Sequence, residues 1–351
     1  MKMKKIIFLI GIMILMFSCT QIDMPEYDYS QSKIEFNLGD NAIAHRAKAQ
    51  TRSIVSGTSF TEGNFGVYGY VTPSTYTTGG YIMQNAKYDA VTGDAAENSY
   101  YWPKADNNSN VNVKFVAYYP WDDANTTITN DEFVYSVSAP SGHNGTDALY
   151  AIEPNVHPQE GRVALHFNHA LAYIQFQAKK ASTVKSVQIK NIQFSSQLYT
   201  TGTITIPMTD ATATTSVQNA DNPADFEFAQ TTLKDNLTND YGVLSNTVIV
   251  PQNVPAKVTI TFDITLTNHD DLNNTDVDIT YYNRTVTRDV IPNNTDANGT
   301  AYVSAWESGH KYIYRIYVTP DDVDFTATIT DWTSTDFWQI WDEDTSSLDV
   351  F

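Results

Sequence analysis

KVTITFDITLT, residues 257–267, decides how the rest of the chain is read. Val258, Ile260, Phe262, Ile264 and Leu266 alternate with Thr259, Thr261, Asp263, Thr265 and Thr267. A period of two places one set on a single face of an extended strand, and no helix does this. The flanking sequence repeats the signature. KIEFNLG (33–39) puts Ile34, Phe36 and Leu38 on one face. FGVYGYV (65–71), VNVKFVAYYP (111–120), VALHFNHALAYIQFQAK (163–179), VKSVQIKNIQF (184–194), GTITIP (202–207) and TVIVP (247–251) follow. DVDITYYNRTV (276–286), KYIYRIYVT (311–319) and FTATITDW (325–332) complete the series. These runs are rich in Thr, Val, Ile and Tyr and are separated by clusters of Asn, Asp, Gly and Pro, which favour strands and turns. The best helical candidate, around His169–Tyr173, is short. Many strands at a spacing of about ten residues predict an all-β chain of sandwiches.

The chain opens with Lys2, Lys4 and Lys5, followed by an apolar run from Ile6 to Phe17. That run is shorter than the roughly 20 residues a membrane-spanning helix needs, so residues 1–19 read as a signal peptide. Cys19 is the chain's only cysteine, and it follows Leu15, Met16 and Ser18 in the manner of a lipobox. It is the expected lipidation site, through which the protein would be held in a Gram-negative outer membrane. With no later cysteine, the mature chain has no disulfides and no thiolate chemistry. Without the leader, 18 basic residues face 40 acidic ones. This balance disfavours nucleic acid and anionic membrane surfaces as partners.

Two segments stand apart from the strand pattern. Residues 20–52 hold the first strand and then a polar linker with Arg46, Lys48 and Arg52, open to a trypsin-like, Arg/Lys-specific protease. Residues 334–351 form a tail in which Phe337, Trp338, Gln339, Ile340 and Trp341 precede a cluster of acids. A boundary near AKKAST (178–183) divides the remainder into an N-terminal domain, 53–180 completed by strand 33–38, and a C-terminal domain, 181–333.

The sequence has no G-x-S-x-G elbow and no glycine-rich phosphate loop. His166 and His169 form an H-x-x-H, but in a strand a spacing of three sends the rings to opposite faces. DLNNTD (271–276) has the oxygens of a calcium loop but lacks its glycine and its bidentate glutamate, so it reads as a hairpin turn. Asp321, Asp322 and Asp324 read as a turn after Pro320, and Trp332 as a core residue. No catalytic residue, metal site or cofactor is expected. Paired glycosidase carboxylates leave no local motif, which keeps a surface hydrolase as a third reading.

The order of several segments resembles the fimbrillin family of lipoprotein pilins from Bacteroides-type bacteria, in its Mfa-like branch. They are KIEFNL, the Arg-containing linker, FGVYGYV, YIMQNAKYD, YYWPKA with Trp102 and Pro103, VKFVAYYP, TDALYA, VALHFNHALAYIQF, VKSVQIKNIQF, VIVPQNVP, WESGHKYIYRIYV and TATITDW. The resemblance implies two tandem transthyretin-like β-sandwich domains and a structural pilus subunit at the cell surface. It implies removal of the N-terminal segment by an Arg- or Lys-specific protease, for which Arg46 and Arg52 are both candidates in this chain. Loss of the first strand (Ile34, Phe36, Leu38) would open a groove for a strand of a neighbouring pilin, with residues 334–341 as the donor. The alternative is a tip adhesin or a non-polymerising surface lipoprotein that binds a host glycan or protein.

Overall fold

The computed structural model describes residues 32–38, 60, 63–72, 79–103, 111–138, 147–158, 161–209, 216–219, 223, 237–290 and 304–331. Every regular element among them is a strand, and six hydrogen-bonded sheets are formed. The expectation of an all-β chain is met.

A two-stranded parallel sheet joins β1 (Phe36–Asn37) to β8 (Val163–Ala164). A five-stranded antiparallel sheet is built from β2 (Asn64–Val71), β3 (Gly80–Asp89), β4 (Val113–Tyr119), β7 (Leu149–Val156) and β9 (Asn168–His169), in the order β3-β2-β4-β7-β9. A four-stranded sheet takes β5 (Thr126–Thr129), β6 (Glu132–Ser138), β12 (Thr201–Pro207) and β13 (Ser216–Asn219), in the order β13-β12-β6-β5. A second four-stranded sheet has β10 (Ala172–Lys180), β14 (Gly242–Ile249), β19 (His310–Val318) and β20 (Val323–Asp331), in the order β14-β10-β19-β20. It faces the three-stranded sheet of β11 (Ser186–Phe194), β16 (Lys257–Asp270) and β17 (Thr275–Asp289). The short pair β15 (Gln252–Asn253) and β18 (Ala305–Trp306) closes one end.

Three apolar clusters hold these layers together. In the C-terminal cluster, Val258, Ile260, Phe262 and Ile264 of β16 meet Ile174 and Phe176 of β10 and Tyr314 and Ile316 of β19. The alternation of 257–267 is therefore used as expected. The five-stranded sheet is buried on both faces. Phe65 and Val67 of β2 and Phe115 of β4 enter an N-terminal cluster. Tyr68, Tyr70, Val116 and Tyr118 enter a middle cluster, opposite Phe133, Tyr135, Ile204 and Ile206. A sheet covered on both faces needs apolar residues at successive positions, which is why FGVYGYV and VKFVAYY do not alternate.

Two expectations are corrected. The run 163–179 is not one strand, and its helical candidate is not a helix. It divides into β8, β9 and β10, which join three different sheets. β10 pairs with β14 and β19, so sheet membership changes between His169 and Ala172. β12 then returns to pair with β6, on the other side of the expected boundary. Ala170, Leu171 and Tyr173 are buried in the middle cluster, so this crossing between sheets is a packed segment.

Candidate functional site

The first strand is seated between two segments that lie far from it in sequence. On one side Val163 N donates to Glu35 O (2.8 Å) and Leu165 N to Asn37 O (3.1 Å). On the other side Ile34 N donates to Tyr100 O (2.8 Å), Phe36 N to Gly93 O (3.0 Å), and Trp102 N to Ser32 O (3.2 Å). The carbonyls of Ile34 and Phe36 are taken by side chains. Tyr88 Oη donates to Ile34 O at 3.1 Å, and Arg162 Nη1 to Phe36 O at 3.0 Å. A buried backbone must find partners for these groups, and here they come from both flanks.

Ile34, Phe36 and Leu38 all point into the N-terminal cluster and are buried, as their alternation requires. Phe36 is 0% exposed. Its ring meets Tyr88 at 4.8 Å, Phe115 at 5.4 Å and Phe65 at 6.0 Å, each edge to face. Such pairs add to the burial of the ring itself. Trp102, buried in the same cluster, meets Phe115 edge to face at 5.8 Å. Burial of the Tyr88 phenol pushes its pKa up, so it remains a hydrogen-bond donor to the strand.

The turn after β3 shapes the near wall. Asp89 Oδ1 accepts from Val91 N (2.9 Å) and Thr92 N (2.8 Å). The Thr92 amide, foremost among these contacts, lowers the Asp89 pKa. Gly93 then adopts φ +70°, and a Cβ there would lie 2.0 Å from Phe36 O. Only glycine combines that backbone conformation with so close an approach.

Arg162 closes the rim. Besides Phe36 O it contacts the Thr92 carbonyl and the Asp94 carboxylate, and its Nη2 lies 3.4 Å from Glu35 Oε2. A polar recess of about 380 Å³ runs beside it, lined by Lys33, Glu35, Asp94 and Ser99. The site offers a long apolar socket, a ladder of backbone groups and one cation at the rim. This chemistry binds an extended peptide.

The remaining candidates fall into place around the seat. His166 is exposed and contacts Glu153 Oε1 at 3.0 Å. His169 is buried and its Nδ1 lies 2.7 Å from Asp147 Oδ2. The two histidines therefore part, with His166 in the segment between β8 and β9 and His169 within β9. No cluster of three or more metal-ligating residues occurs among the described residues. The buried Asp147–His169 pair was not foreseen, because its members are distant in sequence. Burial drives the Asp147 pKa up, and the contact with His169 opposes that shift. DLNNTD forms the turn of the β16–β17 hairpin, with Asp270 capping Leu272 N. Asp322 pairs with Arg288 in the turn after Pro320. Cys19, Arg46, Arg52, Trp332 and the tail residues Phe337, Trp338, Gln339, Ile340 and Trp341 lie outside the described residues. The sequence reading missed Arg162, Gly93 and Tyr88. The one local sign of them was a Gly-Asp turn next to a strand.

A family model described as fimbrillin-like matches residues 51–332. Among solved structures, a Bacteroides uniformis protein assigned to cell adhesion is similar at 19% identity and a TM-score of 0.51, over 86% of this chain and 97% of that one. A fimbrial protein of Bacteroides vulgatus is 16% identical with a TM-score of 0.48, over 77% and 93% of the two chains. The tip fimbrial protein Mfa3 of Porphyromonas gingivalis, truncated at its C-terminus, is 12% identical with a TM-score of 0.38, over 77% and 94%. No curated protein matches the chain. The first of these likenesses supports the fold, and the family match carries the assignment. Matched over most of its length, the chain belongs to the fimbrillin-like family, whose members are fimbrial and adhesion proteins of the cell surface that associate with other pilin subunits and are not enzymes.

Proposed function

We propose that the chain is a polymerising pilus subunit whose first strand is a temporary occupant of the seat described above. It is exported as an outer-membrane lipoprotein through Cys19. A trypsin-like, Arg/Lys-specific protease then cuts after Arg46 or Arg52. Residues 33–38 leave, and a strand of a neighbouring subunit, drawn from tail residues Phe337–Trp341, takes their place. Strand addition of this kind gains affinity from backbone hydrogen bonds and register from alternate side chains. We read the architecture as two transthyretin-like sandwiches, with the division placed between His169 and Ala172.

The observation that carries this reading is the two-sided seating of residues 32–38. Removing them would strand the amides of Val163 and Leu165 and the carbonyls of Gly93 and Tyr100 beside an empty apolar socket. An edge so exposed aggregates unless it is refilled, so a plug kept until export is physically sensible. The family match supports the reading too. It begins at 51, after the strand and at the Arg-containing linker, and ends at 332, just before the tail. Deletion of residues 334–351 tests the proposal. Loss of high-mass, heat-sensitive ladders is expected, and undiminished assembly would contradict it.

A second reading, a tip adhesin that binds a host glycan or protein, draws support from the β16–β17 hairpin. Leu272, Val277, Ile279, Tyr281 and Tyr282 are all exposed there. Exposed apolar groups gathered in one place mark contact surfaces. Retention of surface binding by the tail-deleted, non-polymerising chain would favour this second role.

A further inference from the structure

We infer that Arg162 reads the sequence of whichever strand occupies the seat, selecting a carboxylate immediately before the central aromatic residue; the inference rests on the strand-exchange reading above. Most of the seat is indifferent to sequence. Backbone groups of Gly93, Tyr100, Val163 and Leu165 meet backbone groups of the strand, and any extended peptide supplies those. The Phe36 socket selects for an aromatic ring. Arg162 differs, because it contacts both kinds of group. Its Nη1 holds the carbonyl of Phe36, while its Nη2 lies 3.4 Å from the carboxylate of Glu35, one residue earlier. Its anchor is fixed by contacts to Asp94 and the Thr92 carbonyl, so the guanidinium stays at the rim whatever strand is present. A planar donor fork held in this way suits carboxylate recognition.

The tail contains one acid followed directly by an aromatic residue, Asp336–Phe337. It lies at the start of the proposed donor stretch and sets the register. Phe337 of a second copy of the chain takes the Phe36 socket, and Asp336 comes beneath Arg162. Thr335 and Gln339 then stand where Ile34 and Leu38 are now, so the two central positions carry the match. The Trp338–Gln339–Ile340 register would instead present an uncharged amide to Arg162.

The first test needs no polymer. In the full chain, amide exchange at Val163 and Leu165 reports opening of the seat. Both partners of the pair are partly exposed, so Glu35→Gln should speed that exchange only roughly two- to fivefold. Arg162→Met should speed it more, because the bond to Phe36 O is lost as well. The double variant should be no faster than Arg162→Met alone. The Glu35→Gln effect should shrink in about 1 M salt, where the screening length is roughly 3 Å. No effect of Glu35→Gln at low salt, or single effects that simply add, would overturn the role of Arg162. The second test is assembly of the full chain after Arg-specific cleavage. Asp336→Asn should slow it roughly two- to fivefold, by the same pair, while Asp342→Asn leaves it unchanged. Assembly at an equal rate in both variants removes the register but leaves strand exchange standing. If no variant and no parent chain assembles, strand exchange itself falls, and the amide experiment still decides what Arg162 reads in the resident strand.

Discussion

Replacing Phe36 by alanine should cost about 3–5 kcal/mol, the range for truncating a fully buried ring. The upper part of that range applies for two reasons. The ring is 0% exposed, and its partners Phe65, Tyr88 and Phe115 sit on different strands of one sheet, which cannot close around the void. Three edge-to-face contacts are also lost. The strand is short and its partners in space are remote in sequence, so the loss should appear first as local unseating of residues 33–38. Urea unfolding would then show a lower midpoint together with a lower m-value, since the strand has left before the main transition. Exchange at the Val163 and Leu165 amides should rise in parallel. Asn37→Ala, at an exposed position of the same strand, is the control and should change stability by no more than about 0.5 kcal/mol. A cost below about 1 kcal/mol for Phe36→Ala, with unchanged amide exchange, would refute the argument that this ring fixes the strand in its seat.

Three further outcomes follow from the same geometry. Gly93→Ala forces a side chain into a left-handed backbone and against Phe36 O, so it should destabilise by about 1–3 kcal/mol and unseat the strand, as amide exchange would show. Asp147→Asn should gain stability relative to the parent as pH rises above about 4, the ordinary carboxylate range. The folded-state pKa of Asp147 is raised by burial, so the native chain binds the proton more tightly than the unfolded one and loses stability as pH climbs through that window. Urea titrations at pH 4.5 and 7 would reveal a constant difference if this reasoning is wrong. His166→Ala should change neither stability, beyond about 0.5 kcal/mol, nor any response to zinc, because its ring is exposed and its contact with Glu153 is open to solvent; a zinc-dependent shift in melting temperature that the variant abolishes would contradict this.

Much of the fold was legible where one face of a strand is buried and the other wet. Residues 257–267 and the strand at Ile34, Phe36 and Leu38 are of that kind, and their buried sets match their alternation. Strands with less contrast were missed. β3 carries Gln84, Asn85 and Lys87 along an irregular pairing with β2, which blurs its period. β5 is four residues of TTIT, too short to show a period. The segment 163–179 reads as one unit because apolar residues run through it, yet that continuity reflects burial against three different layers. The seat was half legible for a similar reason. Its apolar plug is local in sequence and so visible. Its receptors, Tyr88, Gly93 and Arg162, come from distant turns, and their roles exist only once the chain has folded.

The central claim is that residues 33–38 are cut away and replaced by a strand of another subunit. Its most direct test is the N-terminal sequence and intact mass of this protein sheared from the surface of its own cells. The account predicts a start at Ala47 or Ser53, on chains that run as high-mass ladders until heated. A lipid-modified start at Cys19 on a monomer that still carries residues 33–38 would contradict it.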